Sequence, residues 1–93
     1  MEIITVLGKL SGAPEVCKDK NGHSFLRFKV FCNHGKEVYT SYRCMSYNIA
    51  YKTLIEGDSV LLIGDLLTSI KNDENGKVWV NRDIMVRAIE KVI

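Results

Sequence analysis

The chain has 93 residues, 46% hydrophobic and 26% charged, with 13 basic against 11 acidic side chains and a formal net charge of +2. That length fits a single globular domain spanning residues 1–93, small enough that a dimer or larger oligomer would add useful stability. No apolar run reaches the length of a membrane span and no signal-peptide pattern follows Met1, so the expected setting is cytoplasmic with no membrane partner.

From Glu2 to Ser11 the run Ile3-Ile4-Thr5-Val6-Leu7 is β-forming, and it predicts a first strand bent at Gly8, where a missing Cβ permits a bulge or a close backbone approach. Glu15 to Cys17 is read as a brief continuation of it. Asn21-Gly22 then marks a hairpin turn. Ser24 to Cys32 follows as the central strand, Asn33-His34-Gly35-Lys36 as a second tight turn, and Glu37 to Met45 as a third strand.

Between Ser46 and Glu56 alternation stops. Ile49, Ala50 and Leu54 lie near helical spacing, which predicts a short helix ended by Gly57. Ser59 to Lys71 is strongly β-forming, and both faces are apolar at its start: Val60 and Leu62 on one side, Leu61 and Ile63 on the other. The apolar outer side suggests cover by another subunit. A polar turn at Asn72 to Gly76 leads into a last long strand, Lys77 to Val92, expected to be interrupted around Asn81-Arg82-Asp83. This order is that of an all-β OB-fold, a five-stranded Greek-key barrel with one short helix between strands 3 and 4.

The central strand separates into two chemistries. Leu26, Phe28, Val30 and Cys32 fall on one side, as a core requires. Phe25, Arg27, Lys29 and Phe31 fall on the other, where cations beside exposed rings suit a single-stranded nucleic acid, the cations meeting phosphates and the rings stacking on bases. On the third strand Tyr39 and Arg43 share a face in the same way, and Trp79 joins the candidates if its parity points outward. Cys17, Cys32 and Cys44 have no CxxC spacing and are read as reduced thiols, with neither a disulfide framework nor a metal site. No phosphate-binding glycine loop, paired carboxylates on a recognisable scaffold or Cys-His arrangement supports catalysis, and no cofactor is implied.

Three blocks are similar to one known family. Val6-Leu7-Gly8-Lys9-Leu10 with Ala13-Pro14-Glu15, then Asn21-Gly22 and Phe28-Lys29-Val30, then Leu54 to Leu66 around Gly57 and Gly64, resemble bacterial single-stranded DNA-binding protein (SSB) in order and spacing. The resemblance implies non-catalytic, sequence-independent binding of single-stranded DNA in replication, recombination or repair, by a homodimer or homotetramer. It also carries Tyr47 to a base-stacking position and Arg43 to one often basic or polar. Ser41 and Lys71 stand where many members have stacking aromatics, so two platforms are absent unless Phe25, Phe31, Tyr39 or Trp79 replaces them. The family's flexible acidic tail has no counterpart before Ile93, and tail-mediated recruitment of replication proteins is not expected. Two other readings are a replication-restart factor like primosomal replication protein N and an OB-fold protein-interaction module.

Overall fold

A side-chain alternation of period two runs through almost all of this chain, and a computed structural model, which describes residues 2–92, satisfies it with six strands. They are β1 (Glu2–Leu10), β2 (Glu15–Lys18), β3 (Ser24–Gly35), β4 (Val38–Ser46), β5 (Ser59–Asn72) and β6 (Val78–Val92), with a 3-10 helix at Ile49–Thr53 between β4 and β5. β1 pairs with β5 from Glu2 to Lys9, β5 with β6, β6 with β4, and β4 with β3. At Lys9 and Leu10, β1 also pairs with Phe31 and Val30 of β3, so the ladder returns to its first strand. β4–β6 is parallel and the other pairings of the described residues are antiparallel. This is the expected OB strand order; β2 is an addition to it, paired along the edge of β3 from Glu15 to Lys18.

The inner faces supply the core. Val6 and Leu10 of β1, Leu26, Phe28 and Val30 of β3, Cys44 of β4, Val60 and Leu62 of β5, and Ile84 and Val86 of β6 are buried, with Leu54 closing over them. Burial of such side chains removes apolar area from water and is the main drive to fold. Burial also pushes the Cys44 thiol up to about 12, which keeps it protonated and inert.

Two glycines let the ring close tightly. Gly8 lies where β1 passes from β5 to β3, and a Cβ there would stand 2.6 Å from the Phe31 carbonyl oxygen and 2.7 Å from Val30 Cγ1. Gly64 sits against the Met85 carbonyl beside the irregularity at which β6 carries one extra residue, Arg87.

The structure revises several expected boundaries. Glu15 to Cys17 does not continue β1 but turns back to pair with β3. The second turn lies at Lys36-Glu37, because a register shift at Asn33/Gly35 absorbs His34 and prolongs β3. The expected short helix is a single 3-10 turn of five residues, capped by the Asn48 side chain accepting from the Ala50 amide. Gly57 does not end it: Leu54 is the cap, and Gly57 belongs to the turn closed by the Asp58 amide on the Ile55 carbonyl. β6 runs unbroken through Asn81-Arg82-Asp83, paired with Ser69, Thr68 and Leu67. Those polar residues are accommodated because the β5–β6 hairpin extends past the core, where neither face needs to be apolar.

Substitution Gly8→Ala is expected to lower stability by about 1–3 kcal/mol, since the neighbours it meets are backbone and a buried branched side chain. A fall in the urea midpoint at unchanged m-value checks this; a wild-type midpoint would refute the close-approach account.

Candidate nucleic-acid interface

Residues opposed in a ladder project from the same side of a sheet. Along β3 and β4 the outward pairs are Arg27 with Met45, Lys29 with Arg43, Phe31 with Ser41 and Asn33 with Tyr39. Phe25 and Tyr47 extend this row at one end, with ring centroids 5.8 Å apart and planes tilted by 51°. Tyr39, 67% exposed, stands at the other end. Leu26, Phe28 and Val30 are buried as the alternation of β3 predicts, whereas Arg27 and Lys29 are exposed and Phe25 and Phe31 half-buried. The row borders a groove of about 920 Å³ between the β1–β2 connection and the outer side of the barrel, with Gly12, Arg27, Lys29, Arg43, Leu67 and Asp83 on its walls.

The two arginines in this groove are already partnered. Arg27 Nη2 donates to Glu15 Oε2 at 3.2 Å, across the β2–β3 register. Arg43 forms a two-pronged contact with Asp83, Nε to Oδ1 at 2.5 Å and Nη2 to Oδ2 at 2.9 Å. Hydrogen bonding to Asp83 raises the Arg43 pKa above its already high value, so the guanidinium is permanently charged. Lys29 and Lys71, by contrast, make no ion pair among the described residues.

Sequence parity left Trp79 open, and the ladder resolves it. Lys71 opposes Trp79, and Leu67 opposes Asp83 two pairs of the same parity further down the hairpin. Trp79 and Lys71 therefore share the side of the β5–β6 ribbon that carries Asp83 and, through it, Arg43. Lys77 Nζ lies 5.4 Å from the Trp79 ring centroid, a cation–π contact that leaves the residue 45% exposed. The β4–β6 ladder ends at Arg43–Asp83, so the hairpin arm bearing Trp79 departs from the barrel there, toward the Tyr39 end of the row.

The other end is held by a turn. Asp19 Oδ1 accepts from the amides of Asn21 and His23, while its Oδ2 accepts from the Tyr47 hydroxyl at 3.0 Å. The turn Asp73 to Lys77 repeats the pattern, with Asp73 Oδ1 accepting from the Asn75 and Lys77 amides. Asp73, an acidic residue at the tip of the hairpin arm, is thus engaged in shaping its own turn.

Sequence reasoning missed Lys9, which pairs with Phe31 across β1–β3 and is exposed beside it. Its outward parity was readable, but its neighbour was not, because nothing local says that β1 changes partner at that residue. Glu15 and Asp83 were missed for the same reason, since each meets its arginine across a strand pairing. Among the described residues no three His, Cys, Asp or Glu side chains gather as a metal site, and no helix is long and apolar enough to cross a membrane.

The Asp19 carboxyl is held below its ordinary 3.8, first by the His23 amide and also by the Tyr47 hydroxyl and the Asn21 amide. The folded state thus binds the carboxylate form preferentially, a contribution fully present above pH 3.8 and lost as pH falls through the lower folded value. In an NMR titration the Tyr47 ring protons and the His23 amide should move together below pH 3.8. Asp19→Asn should abolish that shared transition; its persistence in the variant would show that another group controls the turn.

No protein-family model and no curated protein matches the sequence. Solved structures do match its backbone. The small single-stranded DNA-binding protein of Streptomyces coelicolor superposes with a TM-score of 0.77 at 20% identity, covering 99% of this chain and 94% of that one. The mitochondrial single-stranded DNA-binding protein Rim1 of Saccharomyces cerevisiae gives 0.76 at 11% identity, covering 98% and 94%. Plasmodium falciparum SSB in complex with single-stranded DNA gives 0.73 at 15% identity, covering 100% and 96%. Over almost its whole length, this chain has the fold of those three single-stranded DNA-binding proteins.

Proposed function

We propose that this protein binds single-stranded DNA without regard to sequence, across the outer face of β3 and β4 and along the arm of β5–β6. The observation that carries the reading is one continuous row of cations and rings: Tyr47 and Phe25, then Arg27, Lys29 and Arg43, then Phe31 and Tyr39, with Trp79 and Lys71 on the arm. Bases stacked on such rings contribute about 1–3 kcal/mol each, whatever their identity, because every base has a π-face. Phosphates are met by the cations, chiefly Lys29 and Lys71, which make no ion pair among the described residues. The fold shared with a protein solved on single-stranded DNA supports the same reading. Such binding protects exposed strands in the cytoplasm during replication, recombination or repair, with no catalytic step.

A fluorescence-anisotropy titration of labelled oligo-dT at several salt concentrations tests the reading directly. Tight binding should weaken as salt rises, and in Arg27→Ala/Lys29→Ala the slope should fall by about 0.7 for each cation that meets a phosphate. Trp79 is the only tryptophan, so quenching of its emission reports on the arm alone. No binding at low salt would sink the proposal.

Function as a dimer or tetramer belongs to the same reading. On the side of the barrel away from β3 and β4, Leu7 opposes Leu61 and Thr5 opposes Ile63. Ile3 and Leu7 are 58% and 62% exposed and Leu61 and Ile63 39% each, the latter two lining a shallow hollow of about 400 Å³. An exposed apolar sheet face of this kind fits a second copy of the chain. Light scattering should show the wild type as an oligomer and Leu7→Glu/Ile63→Glu as a monomer; a monomeric wild type would refute this part of the reading.

A further inference from the structure

Arg43 and Asp83 are directly opposed in the parallel β4–β6 ladder, so both side chains leave the same side of the sheet. Their contact is a fork, Nε to Oδ1 at 2.5 Å and Nη2 to Oδ2 at 2.9 Å. A guanidinium recognises a phosphate best with two parallel N–H groups along one edge. In Arg43 one such edge is taken by the carboxylate, and the pair as a unit carries no net charge. Binding a phosphate here would therefore displace few counterions and bring a second anion beside Asp83. The flat face of the group remains open beside its Nη1 end, on a side chain 51% exposed to the groove. Lys29 lies beside it across β3–β4, and Leu67, opposed to Asp83, lies beyond it on β5.

We infer that Arg43 meets single-stranded DNA as a stacking plane for one base rather than as a clamp on phosphate, with Asp83 as the positioning residue that fixes the plane. The inference rests on the proposed DNA binding and assigns a role within that site. Guanidinium planes stack on bases as aromatic rings do. A plane locked by two hydrogen bonds has less side-chain freedom to lose when the base arrives. The neighbouring outward position on β4, Ser41, offers no ring, so the base held between Phe31 and Tyr47 along this ribbon has Arg43 as its flat partner. Lys29, with no carboxylate partner among the described residues, supplies the phosphate-neutralising charge next to that plane. The two adjacent cations thus divide the nucleotide between them.

Charge and planarity separate in a set of variants titrated with oligo-dT across salt. Arg43→Lys keeps the charge and loses the plane; Arg43→Gln keeps a planar amide and loses the charge. Arg43→Lys is expected to raise Kd as much as Arg43→Ala/Asp83→Asn, which leaves no bare carboxylate, about five- to a hundredfold, with the wild-type salt slope retained in both. Arg43→Gln/Asp83→Asn should bind more tightly than Arg43→Lys, and Lys29→Ala should lower the slope by about 0.7. Circular dichroism spectra matching the wild type tie these changes to the site. Wild-type affinity in Arg43→Lys, or a slope lowered by about 0.7 in Arg43→Ala/Asp83→Asn, would overturn the stacking role while leaving DNA binding intact. A wild type that ignores oligo-dT at low salt would overturn both readings.

Discussion

β1 lends its backbone to two partners, and the change from β5 to β3 at Lys9 and Leu10 closes the strand ring. Closure joins the five principal strands in one ring and turns their inward side chains onto one core. It also requires two backbones to approach at Gly8 more closely than a Cβ allows. The position of every outward side chain follows from that closure. The cations and rings of β3 and β4 project from one flank only because their alternate neighbours are fixed inside by Leu26, Phe28, Val30 and Cys44. A slip of one residue in either strand would exchange the two sets.

The electrostatics of the groove are more restrained than a count of its cations implies. Arg27 and Arg43 are each matched by a carboxylate from a neighbouring strand, and Arg87 on β6 is matched by Asp65 on β5. Surface pairs of this sort add little to stability; here their larger effect is to set which donors are free and which way the side chains lie. Lys29, with no ion pair among the described residues, and Arg43, held by a carboxylate, offer different chemistry to a ligand although they stand side by side. The modest net charge of the chain fits this arrangement, in which a few free cations are placed among rings instead of forming a uniformly basic field.

Two turns built on the same residue pattern serve different ends. In Asp19 to His23 the aspartate organises the turn with one oxygen and orients Tyr47 with the other, so a local turn is coupled to an aromatic pair on β3 and β4. In Asp73 to Lys77 the same backbone device closes the β5–β6 arm, and the following residues bring Lys77 over Trp79. Both ends of the outward row are in this way anchored by turn chemistry, which costs little conformational freedom because the side-chain hydrogen bonds are local.

Much of this was legible in the chain. Period-two alternation fixed which residues of β3, β4 and the first half of β5 face inward, since a half-buried strand leaves no other arrangement for Leu26, Phe28, Val30, Val60 and Leu62. The turns at Asn21-Gly22 and Asn75-Gly76 followed from residues whose backbone preferences are local, and the close approach at Gly8 from its missing Cβ. The limits were equally physical. The 3-10 turn at Ile49–Thr53 was read as a short helix because too few residues were present for periodicity to tell the two apart. The unbroken course of β6 depended on its partner β5 carrying it beyond the core. Ion pairs between Glu15 and Arg27 and between Asp83 and Arg43, the placing of Lys9 beside Phe31, and the side taken by Trp79 all join residues distant in the chain. Alternation determined which way each of these side chains points along its own strand; only the pairing of strands in three dimensions decided what it meets there.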